Sequence, residues 1–114
     1  MIGYLPGEHE LDAALEALST VHNLVQQGRA AFDAAHDRRL ALAMCWVSVG
    51  SQVKQLVRVR GITSAVTELS APVRMRDKLA YQPLSDLDPE VLWATCVQDG
   101  PRLTELLLSL RRAL

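Results

Sequence analysis

The chain has 114 residues, 49% hydrophobic and 22% charged, which suits one globular core and excludes a disordered polar segment. Only 4% are aromatic, and the apolar mass is Leu, Ala and Val, which favours packed helices over a β-sandwich. A net charge of −1 excludes a global attraction to nucleic acid, so a polyanion would have to be met by a local cluster.

Residues 8–27 read as a first helix. Leu11, Ala14, Leu15, Leu18, Val21 and Val25 recur at three- and four-residue steps, and Gly28 is a natural stop. "RAAFDAAHD" (29–37) is a short connecting turn or helix whose Phe32 is expected to plug the core. Residues 38–59 form the second long helix, with Leu42, Trp46, Val49, Val53 and Leu56 on one stripe. Leu40, Met44 and Val47 widen that stripe, so this helix should be the central one. Gly50-Ser51 lies inside it. A glycine there costs about 1 kcal/mol against alanine, which points to the close approach of another helix.

After Gly61, "ITSAVTELSAP" (62–72) carries a weak helical pattern that should break before Pro72. A third helix is then expected from about 72 to 81, ended by Pro83. Asp88 and Pro89 are an N-cap and first-turn pair. They open the last helix, striped by Leu92, Cys96, Leu103, Leu107, Leu110 and Leu114, with a kink expected at Gly100-Pro101. The whole chain, 1–114, reads as a single helical domain.

Charge is unevenly spread. Residues 1–37 hold six acids against Arg29. Residues 54–78 hold Lys54, Arg58, Arg60, Arg74, Arg76 and Lys78 against Glu68 and Asp77, and this stretch is where a polyanion would settle. No signal peptide opens the chain and no apolar run reaches transmembrane length, so the expected location is cytoplasmic, away from membranes.

No P-loop, zinc cluster or nucleophile triad is present. Cys45 and Cys96 stand far apart and read as buried thiols. His9, His22 and His36 lie in acidic surroundings and read as surface or cap residues. Glu10 and Glu16 belong to a solvated acidic face. Trp46 and Trp93 read as core or interface anchors. No metal or cofactor is implied.

One segment carries more. "RMRDKLAYQP" (74–83) packs three arginine and lysine side chains around one acid and ends in an aromatic before a proline. With "RDKLAYQPLSDLDPEVLWATCVQDGPRL" (76–103), "VGSQVKQL" (49–56) and the acidic helix leading to "GRAAF" (28–32), it resembles HepT-like proteins of the HEPN superfamily over residues 8–112. The resemblance implies an all-α, up-and-down four-helix bundle with a short extra helical segment, working as a homodimer. It also implies a place in a bacterial toxin–antitoxin module, with a cognate small nucleotidyltransferase antitoxin as partner and RNA as substrate. The family cuts RNA without metal, using an arginine and, after a short spacer, a histidine followed by a tyrosine. An imidazole can move the 2′-hydroxyl proton near neutral pH, and a guanidinium can hold the scissile phosphate.

Carried onto this chain, the motif places Arg76, Asp77 and Tyr81 at the catalytic positions and Arg74, Arg76 and Lys78 against phosphate. Tyr81 stands where the histidine belongs and Pro83 where the tyrosine belongs, and no histidine follows His36. A phenol titrates near 10 and is a poor base at pH 7, so the resemblance implies impaired cleavage. The alternative is a non-catalytic subunit that binds substrate or assembles with the nucleotidyltransferase. Arg76 and Tyr81 differ by about 140° around a helix. They are therefore expected to converge in a wide cleft, or to meet an opposing pair from a second protomer. The dimer is expected around residues 72–83 and the second and last helices.

Overall fold

The computed structural model describes residues 7–60, 67–83 and 86–113, which are helical with short joins and contain no strand. The helices are α1 (Glu8–Val25), α2 (Arg29–Ala34), α3 (His36–Arg60), α4 (Thr67–Tyr81), α5 (Pro89–Ala94) and α6 (Gly100–Ala113). A π-helical turn, Thr95–Asp99, joins α5 to α6 without a break. The molecule measures 46 × 26 × 25 Å.

Local chemistry sets most of the boundaries. Gly28 has φ of 92°, which L side chains rarely adopt, and its N–H donates to the Val25 carbonyl at 2.9 Å to close α1. Asp88 caps α5 as expected: its Oδ1 accepts from the Glu90 N–H at 2.9 Å, with Pro89 in the first turn. α4 ends at Tyr81, two residues before Pro83.

Packing explains the rest. α3 is the central helix and buries Leu42, Trp46, Val49, Val53 and Leu56, the stripe expected for it. α1 lies antiparallel on it: Gly7 at the start of α1 sits against Leu56 and Arg60 at the end of α3. α6 runs antiparallel to α1, with Asp12 paired to Arg111 at 3.5 Å near one end and Val21 beside Gly100 near the other. Phe32 of α2 plugs the core at 2% exposure and meets Trp93 at 5.0 Å between ring centroids. Arg29 lies over both rings and pairs with Asp33 and Glu90, so α2 is strapped to the start of α5. Its guanidinium holds the Glu90 carboxyl below the usual carboxylate range.

Three expectations are corrected. The helical pattern before Pro72 does not break there: α4 passes straight through it, so the helix begins about five residues earlier than expected. An interior proline costs about 3 kcal/mol. Here Pro72 is buried, and its carbonyl oxygen lies against Gly50 where α4 crosses α3. The part of the weak pattern at 62–66 lies outside the described residues. Secondly, the disturbance expected at Gly100-Pro101 falls one turn earlier. Pro101 has no N–H to return to the Val97 carbonyl, and the Gly100 N–H reaches back five residues to Thr95. Thirdly, α3 is, by length and composition alone, long and apolar enough to cross a bilayer, although the run lengths had suggested otherwise. Its apolar stripe is used in packing against α1 and α4.

Trp46 is 1% exposed, and its indole N–H donates to the Cys96 sulfur at 3.3 Å. Both cysteines are free; Cys96 is buried and Cys45 half-buried. Burial pushes the Cys96 thiol up to about 11, partly opposed by the Trp46 hydrogen bond. A thiol pKa raised by folding means that the native state favours the protonated form. The associated stability is full below the ordinary thiol value, 9.0, and is lost as pH rises through about 11. Denaturant midpoints measured from pH 8 to 11 should therefore fall over that range in the native chain and fall less in Cys96→Ala. At pH 8, a maleimide should label Cys45 before Cys96.

Candidate functional site

α4 presents two faces with different chemistry. The inner face seats on α3. Leu69 and Pro72 are buried, and Gly50 of α3 forms the notch that receives the Pro72 carbonyl and the Arg76 stem. A Cβ added at Gly50 would stand 2.2 Å from the Arg76 Cβ and 2.5 Å from the Pro72 carbonyl oxygen. The close approach read from Gly50 is therefore the crossing of α3 by α4, and the stem of Arg76 fills it.

From that crossing the Arg76 guanidinium reaches two partners. Its Nε donates to Ser51 Oγ at 3.3 Å and its Nη1 to Asp77 Oδ1 at 2.7 Å. The Arg76 side chain is 27% exposed and that of Asp77 is 47% exposed. Arg76 is thus anchored, half-buried and already paired with a carboxylate. An incoming phosphate would have to share or displace Asp77, a more conditional role than free phosphate capture.

The outer face carries Arg74, Lys78 and Tyr81. Steps of four and three residues put them within about 60° of one another around the helix. All three are exposed, Tyr81 at 81%. Arg74 Nη1 donates to Ser70 Oγ at 3.2 Å. Lys78 makes no ion pair among the described residues.

The expectation that Arg76 and residue 81 open into one cleft is therefore not met within the chain. The structure joins Arg76 to Ser51 and Asp77 on the α3 side and turns the Tyr81 ring to solvent. It groups Tyr81 with Arg74 and Lys78 instead. The Gly50 contact was legible as a costly glycine inside a strong helix. Ser51 as a guanidinium partner was missed, because a lone serine carries no sequence signal of what lies across from it.

Past Lys78, the end of α4 borders a hollow of about 150 Å³ with Leu40, Ala43, Met44 and Val47 of α3. Met44 is 57% exposed and Leu40 40%, so the shelf beside Lys78 is apolar. His9, His22 and His36 are all exposed on α1 and the first turn of α3, so α4 itself carries no imidazole. Among the described residues no cluster of His, Cys, Asp and Glu could hold a metal ion. The groups the site offers are the Arg74, Arg76 and Lys78 cations, the Tyr81 ring and the Asp77 carboxylate held by Arg76. Comparison with protein-family models, curated proteins and solved structures finds no significant match to this chain.

Proposed function

We propose that this chain is a HepT-like, RNA-binding protein of a toxin–antitoxin module in which cleavage is slow or lost. The observation that carries the reading is the exposed Arg74–Lys78–Tyr81 stripe on α4. Two cations and an aromatic ring on one helix face are the ingredients for tracking a single strand: charge for the phosphates and a π-surface for a base. Asp77 lies at the edge of that stripe, one turn from Tyr81, and latches Arg76 behind it, which can add a guanidinium contact when the carboxylate yields.

The antiparallel neighbours α1, α3 and α6, with α4 on α3, suit an up-and-down four-helix arrangement of the HEPN kind, with α2 as the short extra segment. The apolar shelf of Leu40 and Met44 beside α4 suits a second protomer, and a homodimer would bring two stripes together. The partner of such a module is a small nucleotidyltransferase, and the setting is the cytoplasm. No metal or cofactor is needed. The exposed shelf also favours the second reading, an assembly subunit that binds the nucleotidyltransferase and cuts nothing. Light scattering at tens of micromolar separates dimer from monomer, and a monomer of 12.6 kDa would remove the shared cleft.

The catalytic part is tested at position 81. The native chain should bind single-stranded RNA weakly and cut it little in EDTA. Tyr81→His restores an imidazole at the family's position and should raise EDTA-resistant cleavage at least tenfold over native. A well-folded Tyr81→His protein that binds RNA no better and leaves it intact would remove the ribonuclease reading and leave the assembly subunit.

Arg76 needs a different test. Its stem fills the Gly50 crossing, so Arg76→Ala should cost stability as well as binding, unlike truncation of an exposed arginine. Asp77→Asn is cleaner: it removes the competing charge, leaves the stem in place, and should tighten RNA several-fold at 50 mM salt. Unchanged or weaker binding by Asp77→Asn would show that Arg76 does not reach the nucleic acid.

A further inference from the structure

A second, roomier hollow among the described residues lies away from α4. It is a groove of about 570 Å³ between the second half of α1 and the π-turn with the start of α6. Small-molecule sites run from roughly 300 to 1,000 Å³, so the size is that of a ligand site. Its floor is apolar: Leu18, Val21 and Cys96 are buried there, with Val25 and Pro101 beside them. Gly100 leaves the floor open, since even an added Cβ would meet only Val21 Cγ1, at 3.9 Å. The π-turn shapes this wall, and such turns often occur at functional sites.

The rim is polar and asymmetric. Ser19, His22 and Gln26 stand along α1, and Thr104 and Glu105 along α6. The Thr104 hydroxyl is already given to the Gly100 carbonyl at 2.8 Å, so it presents its methyl group. Glu105 is exposed and makes no ion pair among the described residues. Glu16, also exposed, lies one turn from Ser19 on the same edge of α1. The lining contains no aromatic ring, which disfavours flat ligands. From Leu18 to Val25 the floor runs about 10 Å along α1.

From this geometry we propose that the α1–α6 groove binds a small linear amphiphile with a cationic, hydrogen-bond-donating head. The alkyl body lies along Leu18, Val21 and Val25 against Cys96 and Pro101. The head sits at Glu105 and Ser19, where a carboxylate and a hydroxyl can both accept. Charge selects the head: an ammonium group complements Glu105, whereas a carboxylate would be repelled by Glu105 and Glu16.

The test uses three probes of equal tail, n-octylammonium, n-octanol and n-octanoate, titrated into the full chain while the methyl resonances of Leu18, Val21 and Val97 are followed. Octylammonium should bind at least tenfold tighter than octanoate, with octanol between. Glu105→Gln, an exposed change that should not disturb folding, should bring octylammonium to the octanol value and leave octanol unchanged. Gly100→Leu, which fills the groove, should weaken all three. Equal binding of the three probes to native and Glu105→Gln protein would overturn the proposal. So would the absence of methyl shifts at millimolar probe, or unchanged binding of all three probes by Gly100→Leu.

Discussion

Gly50→Ala should unfold this protein at a markedly lower temperature, against the trend for a glycine inside a helix. Replacing such a glycine by alanine normally stabilises by about 1 kcal/mol. Here the new methyl would fall 2.2 Å from the Arg76 Cβ and 2.5 Å from the Pro72 carbonyl oxygen. Neither atom is the free end of a flexible side chain, so α4 itself must move off α3. Overpacking costs about 1–3 kcal/mol and sometimes more, and a clash with two such atoms belongs at the upper end. A net loss of about 2 kcal/mol is expected. In a domain of this size that lowers Tm by roughly 10 °C. The sign decides the question: a Gly50→Ala protein more stable than native would mean that α4 does not seat at this crossing. Because α4 carries the stripe, the displaced helix should also bind RNA less well. Ser51→Ala is the companion measurement. It removes one hydrogen bond, worth about 1 kcal/mol, and leaves the crossing closed.

The outer face of α4 makes the second large prediction. If Arg74 and Lys78 track phosphates of a single strand, each alanine variant should reduce the slope of log K against log salt by about 0.7. If Tyr81 stacks on a base, Tyr81→Ala should cost about 1–3 kcal/mol, or roughly 5- to 150-fold in affinity. The triple variant should bind no better than a neutral control. All three side chains are exposed, so stability should change little, with each charge contributing about 0–1 kcal/mol. Fluorescence anisotropy with a labelled single-stranded RNA, read at several salt concentrations, gives both quantities. A triple variant with native affinity and native salt slope would return the stripe to an ordinary solvated helix face.

These two experiments address different layers of the same element. Gly50 governs where α4 lies; Arg74, Lys78 and Tyr81 govern what it presents. A loss of binding in Gly50→Ala with intact binding in the triple variant would place the RNA contact elsewhere on α3 and α4. The exposed cations Lys54 and Arg58 of α3 would then be the next to change.

Helix starts and stops were legible wherever they depend on neighbours in sequence. Gly28 ends α1 because its backbone takes a positive φ, Asp88 caps α5 through an N–H two residues on, and Pro83 follows the end of α4. The same holds for the stripe of α3, since a period of 3.6 residues is a property of the helix alone. The all-helical class followed from these patterns. Long-range packing decided the rest. Pro72 reads as a helix breaker until Gly50, twenty-two residues earlier, is seen to give α4 a notch to lie in. The angle between Arg76 and Tyr81 could be counted along the helix, but which of them faces α3 could not. That choice was made by the Gly50 crossing, which drew Arg76 to Ser51 and left Arg74, Lys78 and Tyr81 in water. Angles within a helix are set by covalent geometry and local hydrogen bonds. The rotation of a helix about its own axis is set by whatever it packs against, and only the tertiary structure contains that.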